Sequence, residues 1–553
     1  MNKFVRTVGG NYSADATWST TSGGAADTVV PTASDDVFLD ANSGQLTINA
    51  NSVAKSVDCT GYIGTLTHNA FNWTVSGSVT FVAGMTYTAT DSWSSNLAFA
   101  ATATLTSAGK LLGRLSPNIG TLTLGDNLSF MVGSGCTINI TSTLNMNGKT
   151  ISGDSTIYRL LIQSNILGTS RTIIIGGGTF ANADFRDIAA DTPTDISAII
   201  GLSGDCGGNS NFTFTSSVDQ HWISATGGGW SDATKWTSRV PLSQDDVYFD
   251  NAFSASQTVT ANMRRLGKSI DWTGATGSPT FNINSASNSI FGSLTLISGM
   301  TLTTGQTQSF EGRGSYTLTS AGKSFGAITM VMFGSTLTLQ DALTCTGTFT
   351  LNNGTFNDGG FSTSFPIFSS SNSNARNITR SGNMSLTSTG TVWTVATATN
   401  LTLTDSGTTT LTDTSASTKT FAGGGKTYNN LAISGGGTGA VIITGANTFN
   451  RITVAGGTKS ITLPGSTTTT LLSGAGLNNG TNVITFTASA GSATISKAVG
   501  TVGWDYVSLT NIPSTGGAAF YAGLNSTDGG GNTGWSFTAE PVDKSFMLLR
   551  VGS

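Results

Sequence analysis

The chain contains the hexapeptide LTSAGK twice, at residues 105–110 and again at residues 318–323. Three further segments recur around it in the same order, at offsets of 210 to 215 residues. They are VPTASDDVFLD at 30–40 with VPLSQDDVYFD at 240–250, KSVDCTG at 55–61 with KSIDWTG at 268–274, and GMTYT at 84–88 with GMTLT at 299–303. Self-similarity at a nearly constant offset predicts two tandem homologous modules.

The two copies also end alike, because DCGGNSNFTFT at 205–215 matches DGGGNTGWSFT at 528–538. The offset there is 323 residues, so the second copy has gained about 110 residues, which follow Cys345. A solenoid accepts such an insertion because each coil contacts only its neighbours. We therefore predict a first module over 1–219, a second over 220–540 and a C-terminal tail over 541–553.

Short runs alternate an apolar residue with threonine, which is the period of a half-buried strand. Examples are TLTL at 121–124 and 336–339 and LTLT at 401–404. Gly, Asn, Ser and Asp separate the runs and supply turns that tolerate positive φ. The pattern predicts an all-β fold, a parallel β-helix or β-solenoid with strands about 4.8 Å apart. Stacked antiparallel β-sandwich domains are the alternative.

The composition excludes several classes of protein. Charged residues make up 10% of the 553 residues, against roughly 25% in typical domains. Only Glu311 and Glu540 are glutamates, so nearly all the acid is Asp, which favours turns over helix interiors. The net charge is −4 without a Lys/Arg cluster, which argues against nucleic acid as a partner. Apolar runs are shorter than the ~20 residues that span a bilayer, so we expect no membrane insertion.

The cysteines Cys59, Cys136, Cys206 and Cys345 have neither disulfide-framework nor zinc spacing and are interpreted as free buried thiols. Clustered carboxylates suit Ca²⁺, which makes two sets of aspartates candidate ligands. The sets are Asp35, Asp36 and Asp40, and Asp245, Asp246 and Asp250. Their spacing is not that of an EF-hand and Asp beside a strand commonly forms turns, so we favour a structural role and expect no cofactor.

Four tryptophans mark the starts and ends of the modules. Unpaired solenoid ends expose strand edges, and bulky caps protect them. We therefore interpret these side chains as structural caps, with sugar stacking as the alternative. They are Trp18, Trp230, Trp236 and Trp535.

Catalytic groups are hard to assemble from this sequence. His68 and His221 are the only histidines and do not occupy corresponding positions in the two copies. Glycoside cleavage needs two carboxylates, for which Asp184, Asp187, Asp205, Asp505 and Asp528 are candidates. We align Asp184-Phe185 with Asp505-Tyr506, and Asp205 with Asp528. Acids that recur at module ends are interpreted as turn formers, so we predict that the protein is not an enzyme.

The opening resembles that of tailed-phage virion proteins of the tail-fibre, spike and surface-adhesin kind. It reads GGNYS at 9–13, Trp18, and DDVFLDANS at 35–43, and DGGGNTGW at 528–535 resembles the usual module end of that family. The first copy departs at its close, where Asn211 and Phe212 stand in place of Gly534 and Trp535. The resemblance brings no catalytic residues. It implies a particle component that contacts other virion proteins, often as a homo-oligomer with a trimer favoured.

The function predicted from the sequence is a non-catalytic, β-rich virion appendage or surface protein for host attachment or particle decoration, with a host surface glycan as a candidate receptor. No apolar h-region or cleavage site follows Met1, so we expect assembly in the host cytoplasm and localisation in the virion. A virion-associated polysaccharide depolymerase of the tailspike kind and a bacterial surface adhesin remain alternatives. Tail fibre, tailspike and capsid decoration stay open, and the apolar tail FMLLR at 546–550 is a candidate subunit-docking strand.

Overall fold

The computed structural model describes residues 1–541 except 132, 134, 135, 154, 156, 157, 251, 252, 254, 255, 435–437, 474–476 and 478. The candidate docking strand at 546–550 lies outside these residues. Within them the regular structure is β-strand apart from two 3₁₀ turns, Asp15–Thr17 and Ala233–Lys235, and no helix is long and apolar enough to cross a membrane. The chain divides into two compact units, Met1–Phe291 and Gly292–Ser553.

Strands in the first unit pair in parallel with the strands one coil earlier and one coil later. Val37, Val57, Val79 and Leu105 are successive partners in one sheet, at intervals of 20, 22 and 26 residues. This is the pairing of a parallel β-solenoid, so the predicted fold class is confirmed and the antiparallel sandwich alternative is wrong.

The first coils of the first unit form three sheets, and their strands stack in parallel except at the first pair, where Asn2–Val5 runs antiparallel to Trp18–Ser19. The first sheet contains, in stacking order, Trp18–Ser19, Asn2–Val5, Asp36–Phe38, Ser56–Asp58, Val79–Thr80, Ala103–Thr106, Thr121–Leu124, Thr143–Asn145, Arg171–Ile174, Ile188–Asp195 and Ser210–Thr213. The second contains Ser52–Ala54, Asn72–Val75, Asn96–Phe99, Arg114–Pro117, Thr137–Ile140, Leu160–Ser164, Thr179–Arg186, Thr150–Ser152, Leu128–Phe130 and Leu111–Leu112, with Ile200–Asp205 beside Thr179–Arg186. The third contains Gly10–Asn11, Leu46–Ile48, Thr65–His68 and Thr86–Ala89.

The rest of the first unit begins a new series of coils. Its strands are Gln220–His221, Gly228–Gly229, Val247–Tyr248, Thr258–Thr260, Arg265–Gly267, Ile270–Asp271, Thr280–Asn282 and Asn288–Ile290. Antiparallel pairing occurs at the starts of the two series, where Val5 pairs with Trp18 and Trp222 bridges to Trp236. Each predicted module therefore opens with the same antiparallel contact.

The second unit repeats the parallel stacking. Its longest sheet contains Leu294–Thr295, Thr307–Phe310, Ser315–Thr319, Ala327–Leu339, Phe349–Asn357, Phe368–Ser369, Arg376–Arg380, Gly390–Thr394, Leu401–Asp405, Lys419–Ala422, Val441–Thr444, Lys459–Leu463, Ile484–Ala488, Val507–Thr510 and Thr527–Asp528. The next contains Ser324–Phe325, Leu343–Cys345, Thr363–Phe365, Met384–Leu386, Thr408–Leu411, Thr427–Ile433, Thr448–Val454, Thr468–Leu471, Thr494–Ser496 and Ser514–Thr515. The remaining strands are Thr301–Thr303, Thr501–Gly503, Ala519–Tyr521 and Trp535–Ser536.

The repeated hexapeptide LTSAGK forms the same turn in both copies. Ala108 adopts φ of 50°, and the carboxylate of Asp126 in the next coil accepts hydrogen bonds from the backbone N–H groups of Ser107 and Ala108. Ala321 also has φ of 50°, and Asp341 plays the part of Asp126. An alanine at positive φ is strained and keeps this conformation only where its surroundings hold it there, and the acid one coil later supplies the hydrogen bonds that do so.

The inserted residues of the second copy form ordinary solenoid coils. Their inward-facing aromatic rings stack from coil to coil, with centroids 5.7 Å apart for Phe349 and Phe368, 4.7 Å for Phe368 and Trp393, and 5.5 Å for Trp393 and Phe421. Each ring buries a large apolar area against its neighbours. The insertion therefore carries its own core.

Candidate functional site

The first module opens on a buried tryptophan. Trp18 is fully buried and donates its indole N–H to the carbonyl oxygen of Tyr12 at 2.8 Å. The Tyr12 hydroxyl donates in turn to the carbonyl oxygen of Val53 at 2.6 Å. The two side chains lie inside the first coils, and their hydrogen bonds join the opening segment to the coil that follows.

The second module opens on the same arrangement. Trp236 donates its indole N–H to the carbonyl oxygen of Trp230 at 2.8 Å, and Trp230 donates to that of Leu266 at 3.1 Å. Trp230 and Trp236 are at most 3% exposed, so their rings face the interior. Trp535, the fourth predicted cap, is half-buried and packs 4.9 Å from Trp504 and 5.1 Å from Phe520.

The first set of calcium candidates is divided among separate contacts. Asp35 is buried and accepts from the backbone N–H of Thr32 at 2.8 Å and from the terminal ammonium of Met1 at 2.9 Å. Burial opposes ionisation of Asp35, but these hydrogen bonds outweigh it and lower the pKa of the carboxyl to about 2. Asp36 instead pairs with Lys55 at 2.9 Å, and the Asp40 carboxylate accepts from the N–H of Asn42.

The second set of candidates is divided in the same way. Asp245 is fully buried and accepts two hydrogen bonds from the guanidinium of Arg239. Asp246 pairs with Lys268 at 3.1 Å, and the carboxylate of Asp250 lies 2.7 Å from Nδ1 of His221. Among the described residues no three His, Cys, Asp or Glu side chains converge as a metal centre. The two sets of carboxylates that the structure places here form turns and ion pairs.

The acids at the module ends form matching turns. The Asp205 carboxylate accepts from Gly207 N–H at 2.8 Å and from the side-chain amide of Asn209 at 2.7 Å. Asp528 accepts from Gly530 N–H at 2.9 Å and from Asn532 at 2.6 Å. The alignment of Asp205 with Asp528 therefore holds in the structure, and both carboxylates shape the turn.

The alignment of Asp184-Phe185 with Asp505-Tyr506 is wrong. Phe185 pairs with Asp205, whereas the residue that pairs with Asp528 is Leu509. The structural counterpart of Asp184 is therefore Ser508, and the sequence alignment failed because Asp-aromatic pairs occur at both places by coincidence. Asp505 instead accepts from the backbone and side-chain amides of Asn525.

Asp184 lies between two arginines. Its carboxylate accepts from Arg159 at 2.6 Å and pairs with Arg265, which also donates to the carbonyl oxygen of Arg159 at 2.5 Å. Burial opposes ionisation of Asp184, but the two guanidinium groups outweigh it and lower the pKa of the carboxyl. A carboxylate held in this way is poorly suited to donate a proton, and it joins the end of the first predicted module to the start of the second.

His68, like His221, is hydrogen-bonded to its neighbours. His68 is fully buried between the hydroxyl of Tyr87 at 2.8 Å and the carbonyl oxygen of Phe71 at 2.9 Å. Burial lowers the pKa of His68 to about 4, against the opposing effect of the Phe71 carbonyl.

Asp187, another of the candidate acids, is also buried, and its carboxylate accepts a hydrogen bond from the Gly168 N–H at 2.9 Å.

The four cysteines agree with the interpretation from the sequence. Cys59, Cys136, Cys206 and Cys345 are all buried thiols, and none of them forms a disulfide within the described residues. Burial raises the pKa of the Cys206 thiol to about 12, so this group stays protonated at neutral pH. The cysteines therefore behave as small core residues.

A polar groove on the first unit was not predicted from the sequence. We call it the Trp93 groove; it has a volume of about 220 Å³ and is lined by Asn51, Ala70, Phe71, Asn72, Trp93, Ser94, Asn96 and Arg114. Trp93 is 52% exposed, a large fraction for the largest apolar side chain. Tryptophan is enriched at interfaces because its indole combines a large apolar ring with a polar N–H group.

Three asparagines form a row along this groove. Asn96 donates its amide to the side-chain oxygen of Asn72 at 2.9 Å, and the Asn72 backbone N–H donates to Asn51 Oδ1 at 3.0 Å. Asn72, Asn96 and Arg114 are successive partners in one parallel sheet. Coils stacked about 4.8 Å apart therefore place these polar side chains side by side.

A second cleft lies in the second unit, near its last coils. It has a volume of about 540 Å³, and its polar lining includes Asp505, Tyr506, Asn525 and Glu540. Burial opposes ionisation of Asp505, but the hydrogen bonds from Asn525 and from the Tyr506 N–H lower the pKa of its carboxyl. Asp505 is therefore an ionised, engaged group and a poor general acid.

Comparison with known proteins adds no relative. No protein-family model, no curated protein and no solved structure matches this chain.

Proposed function

We propose that this chain is a non-catalytic structural protein of a bacteriophage virion, an appendage or surface protein for host attachment or particle decoration. The observation that carries the proposal is the stacking of short parallel coils behind a repeated tryptophan cap. Stacked coils give a stiff scaffold because main-chain hydrogen bonds run from each coil to the next. The resemblance of residues 9–43 and 528–535 to tailed-phage proteins supports the same proposal.

The contacts of the candidate acids favour this function over glycan cleavage. A glycosidase needs one carboxyl that carries a proton at neutral pH and a second group beside the scissile bond. Asp184 and Asp505 are both held as anions, and Asp205 and Asp528 are occupied in turns. We therefore propose display and attachment rather than hydrolysis.

The proposal is tested on particles purified from a lysate of the producing host. Mass spectrometry of gradient-purified virions should detect peptides of the chain at a constant ratio to the major capsid protein. Antibody-gold labelling in the electron microscope should then place the protein on tail, spike or shell. Recovery of the chain only in the cell envelope would contradict the proposal and favour a bacterial adhesin.

A second measurement separates the depolymerase alternative. Purified protein is incubated with polysaccharide from the host surface, and the reducing ends are counted over time. We expect no release above a heat-denatured control. Release that is abolished by Asp505→Asn would establish catalysis and overturn the non-catalytic part of the proposal.

A further inference from the structure

We infer that the Trp93 groove binds a sugar residue that carries a carboxylate. The inference rests on the proposed function, because attachment to an acidic surface glycan is one way in which a virion protein reaches its host. It names the class of ligand and the place on the first unit where that ligand binds.

Arg114 supplies the charge for this recognition. Its Nε is buried and, within the described part of the chain, has no hydrogen-bond acceptor, while the guanidinium lies over the Trp93 ring. Desolvation by burial lowers the pKa of Arg114, which nevertheless stays charged at neutral pH. The Arg114 guanidinium is half-buried and therefore incompletely hydrated, and a planar carboxylate that reaches its Nη groups accepts two parallel hydrogen bonds.

The positive charge here is reinforced by a second arginine. The guanidinium carbons of Arg114 and Arg264 lie 5.8 Å and 5.6 Å from the centroid of the same Trp93 ring. The acid that starts this loop, Asp91, uses its Oδ1 to accept from the N–H groups of Trp93 and Ser94 at 2.7 and 2.6 Å. The positive charge of the groove therefore comes from guanidinium groups, while the Asp91 carboxylate is engaged by the backbone of the loop that carries Trp93.

The row of asparagines supplies donors for hydroxyl groups. The oxygen of Asn72 is used by Asn96, and the oxygen of Asn51 is used by the backbone of Asn72. Within the described residues, the amide NH₂ groups of Asn51 and Asn72 have no hydrogen-bond acceptor, so they can donate to a ligand. Sugar hydroxyls are acceptors as well as donors and match such a row.

The loop that carries Trp93 is held in place before any ligand arrives. Ser95 is fully buried and donates its hydroxyl to the carbonyl oxygen of His68 at 2.8 Å, and its backbone N–H donates to that of Asp91 at 3.2 Å. A preformed site loses little conformational freedom on binding. The part of the Trp93 indole that the two guanidinium groups leave exposed therefore offers a fixed apolar surface to the C–H groups of a pyranose.

The size and lining of the groove fit one small polar ring. Its volume of about 220 Å³ is below the roughly 300–1,000 Å³ of sites for drug-sized ligands. Most of its lining is polar, which disfavours an apolar peptide side chain. A single uronic-acid unit combines the carboxylate, the hydroxyl groups and the ring that Arg114, the asparagines and Trp93 would contact.

The test uses the full chain and two probes, trigalacturonic acid and its trimethyl ester, which keeps the rings and removes the charge. In isothermal titration the native chain should bind the acid roughly tenfold or more tightly than the ester. Arg114→Gln should remove this preference, Asn72→Ala should weaken both probes, and Arg451→Gln, an exposed arginine in the second unit, is the matched control that should change neither.

Thermal unfolding of each variant shows whether it has folded, and Trp93→Ala provides a second variant at an exposed side chain. Equal affinity of the native chain for acid and ester, unchanged affinity in Arg114→Gln, or tighter binding of a sulfated trisaccharide would overturn the inference. The proposed function fails separately, when purified virions lack the chain. A chain that is present in virions but indifferent to uronates refutes the inference alone.

Discussion

The two caps of the first unit, residues 1–58 and 220–271, contain the same buried tryptophan with the same hydrogen bond. They differ in whether their outward-facing residues contact another part of the chain. Trp18 and Trp236 make the same indole-to-carbonyl hydrogen bond, at 2.8 Å in both. In the first cap the outward residues Ala33 and Ser34 are exposed. In the second, the corresponding residues, Ser243 and Gln244, contact the end of the preceding module.

The covered cap is joined by specific hydrogen bonds. Gln244 accepts from the backbone N–H of Asp205 and donates to the carbonyl oxygens of Ser203 and Thr215, all at 2.9 Å. Ser243 lies 3.2 Å from the sulfur of Cys206. A cap of this kind therefore becomes an internal joint when a few outward residues gain hydrogen-bond partners, while the buried tryptophan and its hydrogen bond stay unchanged.

The largest effect is expected where the joint contains buried charge. Asp184→Ala leaves the buried Arg159 and the partly buried Arg265 without their carboxylate, which should cost about 4 kcal/mol of unfolding free energy for the first unit. Urea unfolding followed by intrinsic fluorescence measures it. Asp36→Ala, which removes the pair with the exposed Lys55 and a hydrogen bond from the Ser56 hydroxyl in the first cap, is the control and should cost no more than about 2 kcal/mol. Equal costs would show that the joint is not held by this cluster.

The next effect comes from the aromatic core of the covered cap. Trp230 packs within 4.9 to 5.9 Å of Trp236, Phe249 and Phe281, so Trp230→Ala should cost about 4 kcal/mol. The counterpart of Trp230 in the first cap is Tyr12, which packs against the two rings of Trp18 and Trp73. Tyr12→Ala should therefore cost less, about 3 kcal/mol. Differential scanning calorimetry compares the two. A larger loss for Tyr12→Ala would reverse the ranking of the caps.

Acid sensitivity should distinguish the coils behind the two caps. His68 is held neutral with a pKa of about 4, whereas an unfolded histidine titrates near 6.5. The contribution of His68 to the free energy of unfolding is therefore fully present above pH 6.5 and falls by about 3 kcal/mol as the pH drops to 4. By strand register the counterpart of His68 in the second module is Ile283, a buried apolar residue.

The double variant His68→Ile with Tyr87→Leu imports the residues of the second module, since GMTYT at 84–88 corresponds to GMTLT at 299–303. It should flatten the stability profile between pH 6.5 and 4, as measured by urea unfolding at stepwise pH. Tyr87→Leu alone serves as the control and should keep the slope. A profile of the double variant that is as steep as that of the native chain would assign the acid sensitivity to other groups.

The smallest effect tests the outward residues themselves. Gln244→Ala leaves one N–H and two carbonyl groups of the joint without a partner and should cost about 1–2 kcal/mol. Ser34→Ala, at the matching exposed place, should be near zero. Hydrogen exchange read by mass spectrometry should show faster exchange at 200–215 in Gln244→Ala alone. Unaltered exchange in that segment would mean that Gln244 contributes nothing to the joint.

Much of the fold could be predicted because its repeats are written in the chain. The alternation of leucine with threonine and the recurrence of LTSAGK indicate stacked strands and a shared turn. The Trp93 groove could not be predicted from the sequence. Asn51, Asn72, Asn96 and Arg114 stand 21, 24 and 18 residues apart, and only the register of the coils makes them neighbours. Because the coils differ in length, a search for a fixed sequence period does not reveal that these four residues are neighbours.

The same register explains why the alignment of Asp184 with Asp505 failed. The two Asp-aromatic pairs match in sequence, but they do not have the same strand register. Asp205 pairs with Phe185 and Asp528 pairs with Leu509, so the residue that corresponds to Asp184 is Ser508. Side-chain roles in a solenoid are thus assigned by coil position. The pairing of Asp184 with Arg265 involves residues 81 positions apart, a separation at which sequence spacing carries no signal.

The self-contained aromatic stack from Phe349 to Phe421 has a consequence for how genes of this kind can change. A segment that brings its own core can be gained or lost in one recombination event, provided that the breakpoints fall at equivalent positions of two coils. Such events would delete or duplicate whole coils and leave both terminal caps intact. Natural length variants of this protein should therefore differ by entire turns, while small frame-preserving indels inside a strand are eliminated.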